Sequence, residues 1–207
     1  MRHLLTTVAA ALIVSTGLRA QAPPSSHPAA EAQALDLAKA SIGLRSVAGP
    51  GNQTPKVAEL YRAALLAAGF PAADIRIVPF EDTAYLIARW RGTDTSLKPL
   101  VISGHMDVVE AKPSDWQRDP FTPVVENGYL YGRGASDMKL DGAIALASLI
   151  ELKRLGHTPR RDIVVEYSGD EETTMKTSAL IAEQLADAEL VINIDSGGGV
   201  LDEKTGA

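Results

Sequence analysis

The chain has 207 residues, of which 45% are hydrophobic and 22% are charged, a composition ordinary for a globular protein. Its formal net charge of −6 arises from 26 acidic and 20 basic residues without a block of like charge, which argues against nucleic acid and anionic membrane surfaces as partners. The absence of cysteine excludes disulfides, thiolate metal ligands and a cysteine nucleophile, so a metal site would have to use His, Asp and Glu.

The N-terminus has the pattern of a secretory signal peptide. A basic start precedes an apolar stretch over residues 8–14, and small residues follow it. This stretch is too short to cross a bilayer as a permanent helix, and a buried N-terminal helix is the alternative interpretation. We therefore predict a signal peptide over residues 1–22, cleaved after Ala20 or Ala22, and a flexible linker over residues 23–30. The mature protein would be exported, periplasmic or secreted, with no stable membrane anchor.

Two helices are predicted directly after this linker. Helical periodicity begins at Glu31. A second helix opens at Thr54, with Pro55 at a position that suits a first helical turn, and Gly69 is its predicted stop.

Further along the chain, strand and helix patterns alternate. The predicted strands cover residues 75–80, 85–90, 100–103, 163–168 and 190–195, and the predicted helices cover residues 141–155 and 174–185. The pair Asn127-Gly128 predicts a tight turn, with Tyr129 starting the next strand. The continuous apolar run at 100–102 indicates a sheet buried on both faces. The predicted fold class is α/β, with a mixed, mostly parallel sheet and helices on both faces.

Polar side chains follow three of the predicted strands, at the point where each strand ends. His105 and Asp107 follow the third strand, Glu171 and Glu172 follow the fourth, and Asp195 closes the fifth. Open α/β sheets bind ligands at the carboxyl ends of their strands. We therefore expect these side chains to share one edge of the sheet.

Taken singly, each candidate has an ordinary structural explanation that is favoured over a functional one. A lone His such as His105 is more often a hydrogen-bonded structural residue than a ligand. Asp137 could cap the helix that follows it, and Asp195 could be a turn residue. Glu171 and Glu172 could lie in a solvated first helical turn.

Taken together, the same residues favour a metal site. His105 and Asp107 are two apart in an extended segment, so their side chains face the same way and Asp107 can accept the second imidazole N–H. Five carboxylates converging on one imidazole would repel one another strongly unless cations neutralised them. Two divalent metals would do so, and a set of His and carboxylates suits zinc, with manganese or cobalt as alternatives.

Three stretches of the sequence resemble the signature blocks of the M20 metallopeptidases. They are SGHMDVV at 103–109, YLYGRGASDMK at 129–139 and SGDEE at 168–172. Trp116 and the pair Pro120-Phe121 also lie where that family has a similar element. The resemblance covers roughly residues 31–200 and implies a zinc exopeptidase-like catalytic fold with two Zn²⁺ ions.

The resemblance also implies the metal ligands. His105 and Asp195 would bind one zinc, Glu172 would bind the second, and Asp137 would bridge the two. In the family the bond after the bridging residue is often cis, so a cis peptide is expected between Asp137 and Met138.

The implied catalytic residues are Glu171, as general base, and Asp107, which would hold His105 in place. The resemblance thus implies an exported hydrolase that cleaves amide bonds of small peptides or N-acyl amino acids. Two alternatives stay open, an aminopeptidase of the related M28 type and a catalytically inactive, exported metal-binding or scaffold protein on the same fold.

The chain departs from the family pattern in three places. Thr173 follows the Glu-Glu pair, where relatives usually have Gly, and the SGGG run after Asp195 is less typical. None of the four histidines, at positions 3, 27, 105 and 157, matches the downstream His that completes the second zinc site in the family. We therefore expect residues 31–207 to be the N-terminal part of a catalytic domain without its lid or dimerisation domain, and to be poorly active alone. The full-length protein would be compatible with a homodimer.

Overall fold

The structure, a computed structural model, describes residues 27–195. The predicted signal peptide and residues 23–26 of the predicted linker lie outside this part. The remaining linker residues were predicted wrongly as flexible chain, because helix α1 begins at Pro28 rather than at Glu31. Proline fits the first turn of a helix, where its missing N–H is not needed.

The described part contains four α-helices and seven strands. The helices are α1 (Pro28–Ile42), α2 (Thr54–Ala67), α3 (Lys139–Arg154) and α4 (Lys176–Gln184). The strands are β1 (Ile75–Phe80), β2 (Thr83–Trp90), β3 (Leu100–His105), β4 (Val124–Glu126), β5 (Tyr129–Tyr131), β6 (Ile163–Ser168) and β7 (Leu190–Asn193). Every predicted helix and strand is present, with boundaries that differ by at most three residues.

Local signals account for two of the boundaries. Gly69, just after α2, has a φ of +79°, a conformation that ends helices and that glycine adopts without steric cost. Asn127 and Gly128 both have positive φ, as the predicted two-residue turn between β4 and β5 requires.

Strands β1, β2, β6, β3 and β7 form the central sheet in that order. The β1–β2 and β2–β6 pairs are antiparallel, whereas β3 is parallel to both β6 and β7. Four of the five strands therefore run in one direction, with β2 as the exception. The prediction of a mixed, mostly parallel sheet is confirmed.

Helices cover both faces of this sheet. Successive side chains of a strand point to opposite faces, so each strand contributes to the packing on both sides. Leu86 and Ala88 of β2 join the core beneath α1, α2 and α3. Tyr85 and Ile87 of the same strand pack on the other face against a smaller core that includes Ile181 of α4. Among residues 27–195, no helix combines the length and apolar character needed to cross a membrane.

Strand β7 forms an edge of the sheet and is exposed along its whole length. Because β3, β6 and β7 are parallel neighbours, their carboxyl ends lie at the same edge of the fold. The ends of these three strands and the segments that follow them carry five of the six predicted site residues.

Candidate metal centre

The structure brings all six predicted site residues to this edge. His105 is the last residue of β3, with Asp107 just beyond it, and Glu171 and Glu172 lie in the turn after β6. Asp195 follows β7. The sixth residue, Asp137, is delivered by the loop before α3.

The imidazole of His105 is at the centre of this group and is only 2% exposed. Its Nε2 lies 3.0 Å from Oδ1 of Asp137, 3.6 Å from Oδ2 of Asp195 and 3.9 Å from Oε2 of Glu171. One ring nitrogen therefore faces three carboxylates, an arrangement that a neutral imidazole would tolerate poorly without a cation between them.

The other ring nitrogen fixes the orientation of His105. Nδ1 donates a hydrogen bond to the backbone carbonyl of Asp107 at 3.0 Å and lies 3.4 Å from its carboxylate. Because Nδ1 carries the proton of this hydrogen bond, Nε2 is the ring nitrogen that would bind a metal once it has lost its own proton.

The carboxylate of Asp107 has a second role. It accepts hydrogen bonds from the backbone N–H groups of Glu171 at 3.1 Å and Glu172 at 3.0 Å. The sequence predicted only the link to His105, but in the fold Asp107 also holds the turn that carries both glutamates.

Two groups of side chains have ligand atoms close enough to surround an ion. One consists of His105, Glu171 and Asp195, and the other of His105, Asp137 and Glu172, with all ligand atoms of a group within 4.8 Å of one another. Nitrogen and carboxylate oxygen in this number suit zinc and related divalent ions. The residues present therefore fit the predicted metal.

The crowding of negative charge changes the pKa values of the site residues. Burial disfavours the charged form of His105, but Asp107, Asp195 and Glu171 more than compensate and raise the pKa of the imidazole to about 9. Burial, together with repulsion from neighbouring carboxylates, raises the pKa values of Glu171 and Glu172. A cation in the centre would relieve this repulsion.

Close packing shapes the backbone around His105. The N–H of His105 donates to the sulfur of Met138 at 3.1 Å, and a Cβ at Gly104 would lie only 2.6 Å from the Met138 methyl carbon. A side chain at position 104 would therefore force the end of the Met138 side chain to move. The peptide bond between Asp137 and Met138 is cis, as predicted.

Two of the alternative structural explanations do not hold in this structure. Helix α3 has no side chain that caps its N-terminus, so Asp137 is not a cap. Glu171 and Glu172 lie in a turn four or more residues before α4 begins, not in its first turn.

Asp170, rather than its two neighbours, serves the N-terminal end of α4. Its carboxylate accepts hydrogen bonds from the backbone N–H groups of Lys176 at 2.9 Å and Thr177 at 3.0 Å, and from the hydroxyls of Thr174 and Thr177. Burial opposes its charge, yet these hydrogen bonds outweigh burial and lower the pKa of Asp170. Sequence reasoning missed this role, because a capping residue is expected directly before a helix and Asp170 lies six positions before Lys176.

The sequence is similar to a peptidase family and to individual proteins of known activity. The model of peptidase family M20/M25/M40 matches residues 101–206, half of the chain. The chain is 37% identical over 115 residues to the N-fatty-acyl-amino acid synthase/hydrolase PM20D1 of Xenopus tropicalis, which covers 54% of this chain and 22% of the relative. It is also 37% identical over 144 residues to a succinyl-diaminopimelate desuccinylase of Alkalilimnicola ehrlichii, covering 68% of this chain and 35% of that protein.

Among solved structures, the fold is similar to the di-peptidase Dug1p of Saccharomyces cerevisiae, with a TM-score of 0.66 and 20% identity. This similarity covers 80% of the present chain and 39% of Dug1p, and it bears on the fold alone. The chain thus spans about a fifth to two fifths of the length of these three proteins.

Proposed function

The chain belongs to peptidase family M20/M25/M40, and from this premise we propose that it is the metal-binding part of an exported hydrolase that cleaves amide bonds of small peptides or N-acyl amino acids. The observation that carries the proposal is the buried Nε2 of His105, which faces the carboxylates of Asp137, Asp195 and Glu171 at 3.0, 3.6 and 3.9 Å. The family match also favours the M20 type over the M28-type alternative.

Four side chains would hold two Zn²⁺ ions, with Co²⁺ or Mn²⁺ as substitutes. His105 and Asp195 would bind the first ion, and Glu172 would bind the second. Asp137 would bridge the two, which is supported by its place beside both His105 and Glu172. Five carboxylates around one imidazole support two divalent ions better than one, because a single ion would leave more negative charge unbalanced.

Divalent ions in such a site polarise a carbonyl group and lower the pKa of water. Glu171 would accept a proton from the attacking water while the water oxygen forms a bond to the amide carbon. As the C–N bond breaks, Glu171 would return this proton to the departing amine nitrogen. Its raised pKa suits the role, because a partly buried carboxylate is a stronger base than an exposed one.

Asp107 would act through its neighbours. Its carboxylate holds the backbone of Glu171 and Glu172, and its carbonyl orients His105. Asp107 would therefore fix the positions of the general base, Glu171, and of two metal ligands, Glu172 and His105.

The proposed substrate class is supported by three similar proteins. They are a hydrolase of N-fatty-acyl amino acids, a desuccinylase of succinyl-diaminopimelate and a di-peptidase. In each case the bond expected to break is an amide next to an amino-acid group. Export rests on the signal-peptide pattern of residues 1–22 and would give the enzyme access to extracellular or periplasmic peptides and acyl amino acids.

The test uses the protein encoded by the complete reading frame. We expect about two zinc ions per chain by elemental analysis, and hydrolysis of dipeptides or N-acyl amino acids that a chelator abolishes and zinc restores. Bound metal without hydrolysis across this panel would favour the inactive metal-binding protein. A protein that binds no divalent metal would contradict the ligand set.

A further inference from the structure

Lys139 is completely buried, and its Nζ has defined hydrogen-bond partners. Nζ donates hydrogen bonds to the backbone carbonyls of Ser41 at 2.7 Å and Leu44 at 2.8 Å. Ser41 lies in the last turn of α1 and Leu44 lies two residues beyond the end of the helix, so both carbonyls are near the terminus that carries partial negative charge. The lysine thus joins the start of α3 to the end of α1.

The loop that precedes α3 is folded around the same side chain. The N–H of Lys139 donates to the carbonyl of Gly134 at 2.9 Å. Gly134 has a φ of +92°, and a Cβ at this position would lie 2.9 Å from Cδ of Lys139. Residues 134–139 therefore close tightly against the aliphatic part of the lysine.

Asp137 lies within this loop and has little else to hold it. Its side chain is 59% exposed. Within residues 27–195, its only hydrogen-bond or ion-pair partner is Nε2 of His105 at 3.0 Å. The position of the Asp137 carboxylate is thus set mainly by the backbone of the loop.

The segment that receives the lysine also contacts the other side of the site. Residues 41–46, which we call the brace segment, end at Ser46. The hydroxyl of Ser46 donates to the carbonyl of Met106 at 2.8 Å, and the N–H of Val108 donates to the carbonyl of Ser46 at 3.0 Å. The brace segment is therefore bonded to Lys139 at one end and to the residues flanking Asp107 at the other.

We propose that Lys139 is a positioning residue which, through the brace segment, fixes Asp137 relative to His105 and so sets the spacing of the two metal positions. This inference rests on the proposed function. Lys139 is buried and would act through the backbone groups that it contacts, not as a metal ligand.

The test compares four variants of the protein encoded by the complete reading frame. Lys139→Met keeps the aliphatic packing but removes both hydrogen bonds from Nζ, and Ser46→Ala removes the bond to Met106. Lys139→Arg restores a cation at the same place. Lys153→Met is the matched control, because Lys153 lies on the same helix but its ammonium is over the ring of Phe70, 5.0 Å from the centroid.

Zinc affinity is measured by competition with a chromogenic chelator, and the geometry of the site by the visible spectrum of the Co²⁺-loaded protein. We expect Lys139→Met to weaken zinc binding by roughly 10- to 100-fold, the range typical of residues that orient metal ligands, and to affect both positions because Asp137 would bridge them. The Co²⁺ spectrum should change in Lys139→Met, return in part in Lys139→Arg, and be unaltered in Lys153→Met.

Wild-type affinity at both sites and an unchanged Co²⁺ spectrum in Lys139→Met would overturn the inference while leaving the proposed function intact. If circular dichroism shows that Lys139→Met does not fold, Ser46→Ala decides the question. A several-fold loss of zinc affinity with a changed spectrum supports the inference, and wild-type behaviour overturns it. A wild-type protein that binds no metal would contradict both the proposed function and this inference.

Discussion

At the scale of single residues, Asp107 connects two separate parts of the site. Its carbonyl accepts from Nδ1 of His105, and the two oxygens of its carboxylate accept from the N–H groups of Glu171 and Glu172. One residue thus links the end of β3 to the turn after β6. It is also 2% exposed, so a lost acceptor there would not be replaced easily by water.

We predict that Asp107→Asn weakens zinc binding by roughly 10- to 100-fold, as is usual when a residue that orients metal ligands is changed. The amide keeps the size of the side chain but leaves one of the two N–H donors without an acceptor. Zinc competition with a chromogenic chelator measures the effect, and Asp36→Asn on the exposed side of α1 is the control. Equal zinc affinity in Asp107→Asn and the wild type would show that these hydrogen bonds do not position the ligands.

The composition of the site was predictable from the sequence, whereas its supporting contacts were not. The strand ends predicted that His105, Glu171 and Asp195 share an edge, because only the order and direction of strands are needed for that. Lys139 binds carbonyls 98 and 95 positions earlier in the chain, and Ser46 binds a carbonyl 60 positions later. Sequence spacing contains no signal for contacts between such distant segments.

At the scale of elements, α4 depends on the turn before it. The carboxylate of Asp170 accepts from the N–H groups of Lys176 and Thr177, which the start of a helix otherwise leaves without partners. The same turn carries Glu171 and Glu172. Capping of α4 and placement of the two glutamates are therefore coupled.

We predict that Asp170→Ala destabilises the protein by about 1–3 kcal/mol at neutral pH, the range for a lost cap that leaves buried donors unpaired. Because the pKa of Asp170 is lowered in the fold, its contribution is present above the ordinary carboxylate pKa and is lost as pH falls through the lowered value. The difference between wild type and variant should therefore shrink in acid.

Thermal unfolding at neutral and acidic pH tests this, with the exposed Asp187→Ala after α4 as the control. A difference between wild type and Asp170→Ala that grows as pH falls would contradict the assignment.

Element boundaries show where sequence patterns were sufficient. Strands β1 and β6 match their predictions residue for residue, because strong β-branched and apolar patterns define them. Helix α4 begins at Lys176 rather than at residue 174, since the Thr174 hydroxyl is bonded to Asp170 in the turn. Helix periodicity in the sequence does not show that a side chain before the helix will bond to residues at its predicted start and shift that start.

At the scale of the whole molecule, strand β7 leaves an exposed sheet edge that is open to pairing with another chain. Leu190, Val191 and Ile192 of β7 are 52%, 56% and 43% exposed, and their strand has a neighbour on one side only within the described part. Edge strands with exposed aliphatic side chains and no charge pair readily with other chains.

We predict that the 207-residue chain, expressed by itself, self-associates through β7. Val191→Lys should reduce this, because a charged side chain on an edge strand opposes pairing with a second chain. Analytical ultracentrifugation measures the association, and Glu183→Lys on the exposed side of α4 makes a control for added positive charge. Association that is equal in all three proteins would place the contact elsewhere.

The most direct test of the central claim separates metal binding from proton transfer. In the protein encoded by the complete reading frame, bound zinc and kcat are measured on the same samples of Glu171→Gln, Asp137→Ala and the exposed control Glu183→Gln. We predict that Glu171→Gln keeps its zinc while kcat falls by roughly 10²- to 10⁴-fold, as expected for loss of a general base. Asp137→Ala should lose both zinc and turnover. Wild-type turnover in Glu171→Gln, or full zinc content and turnover in Asp137→Ala, would contradict the account.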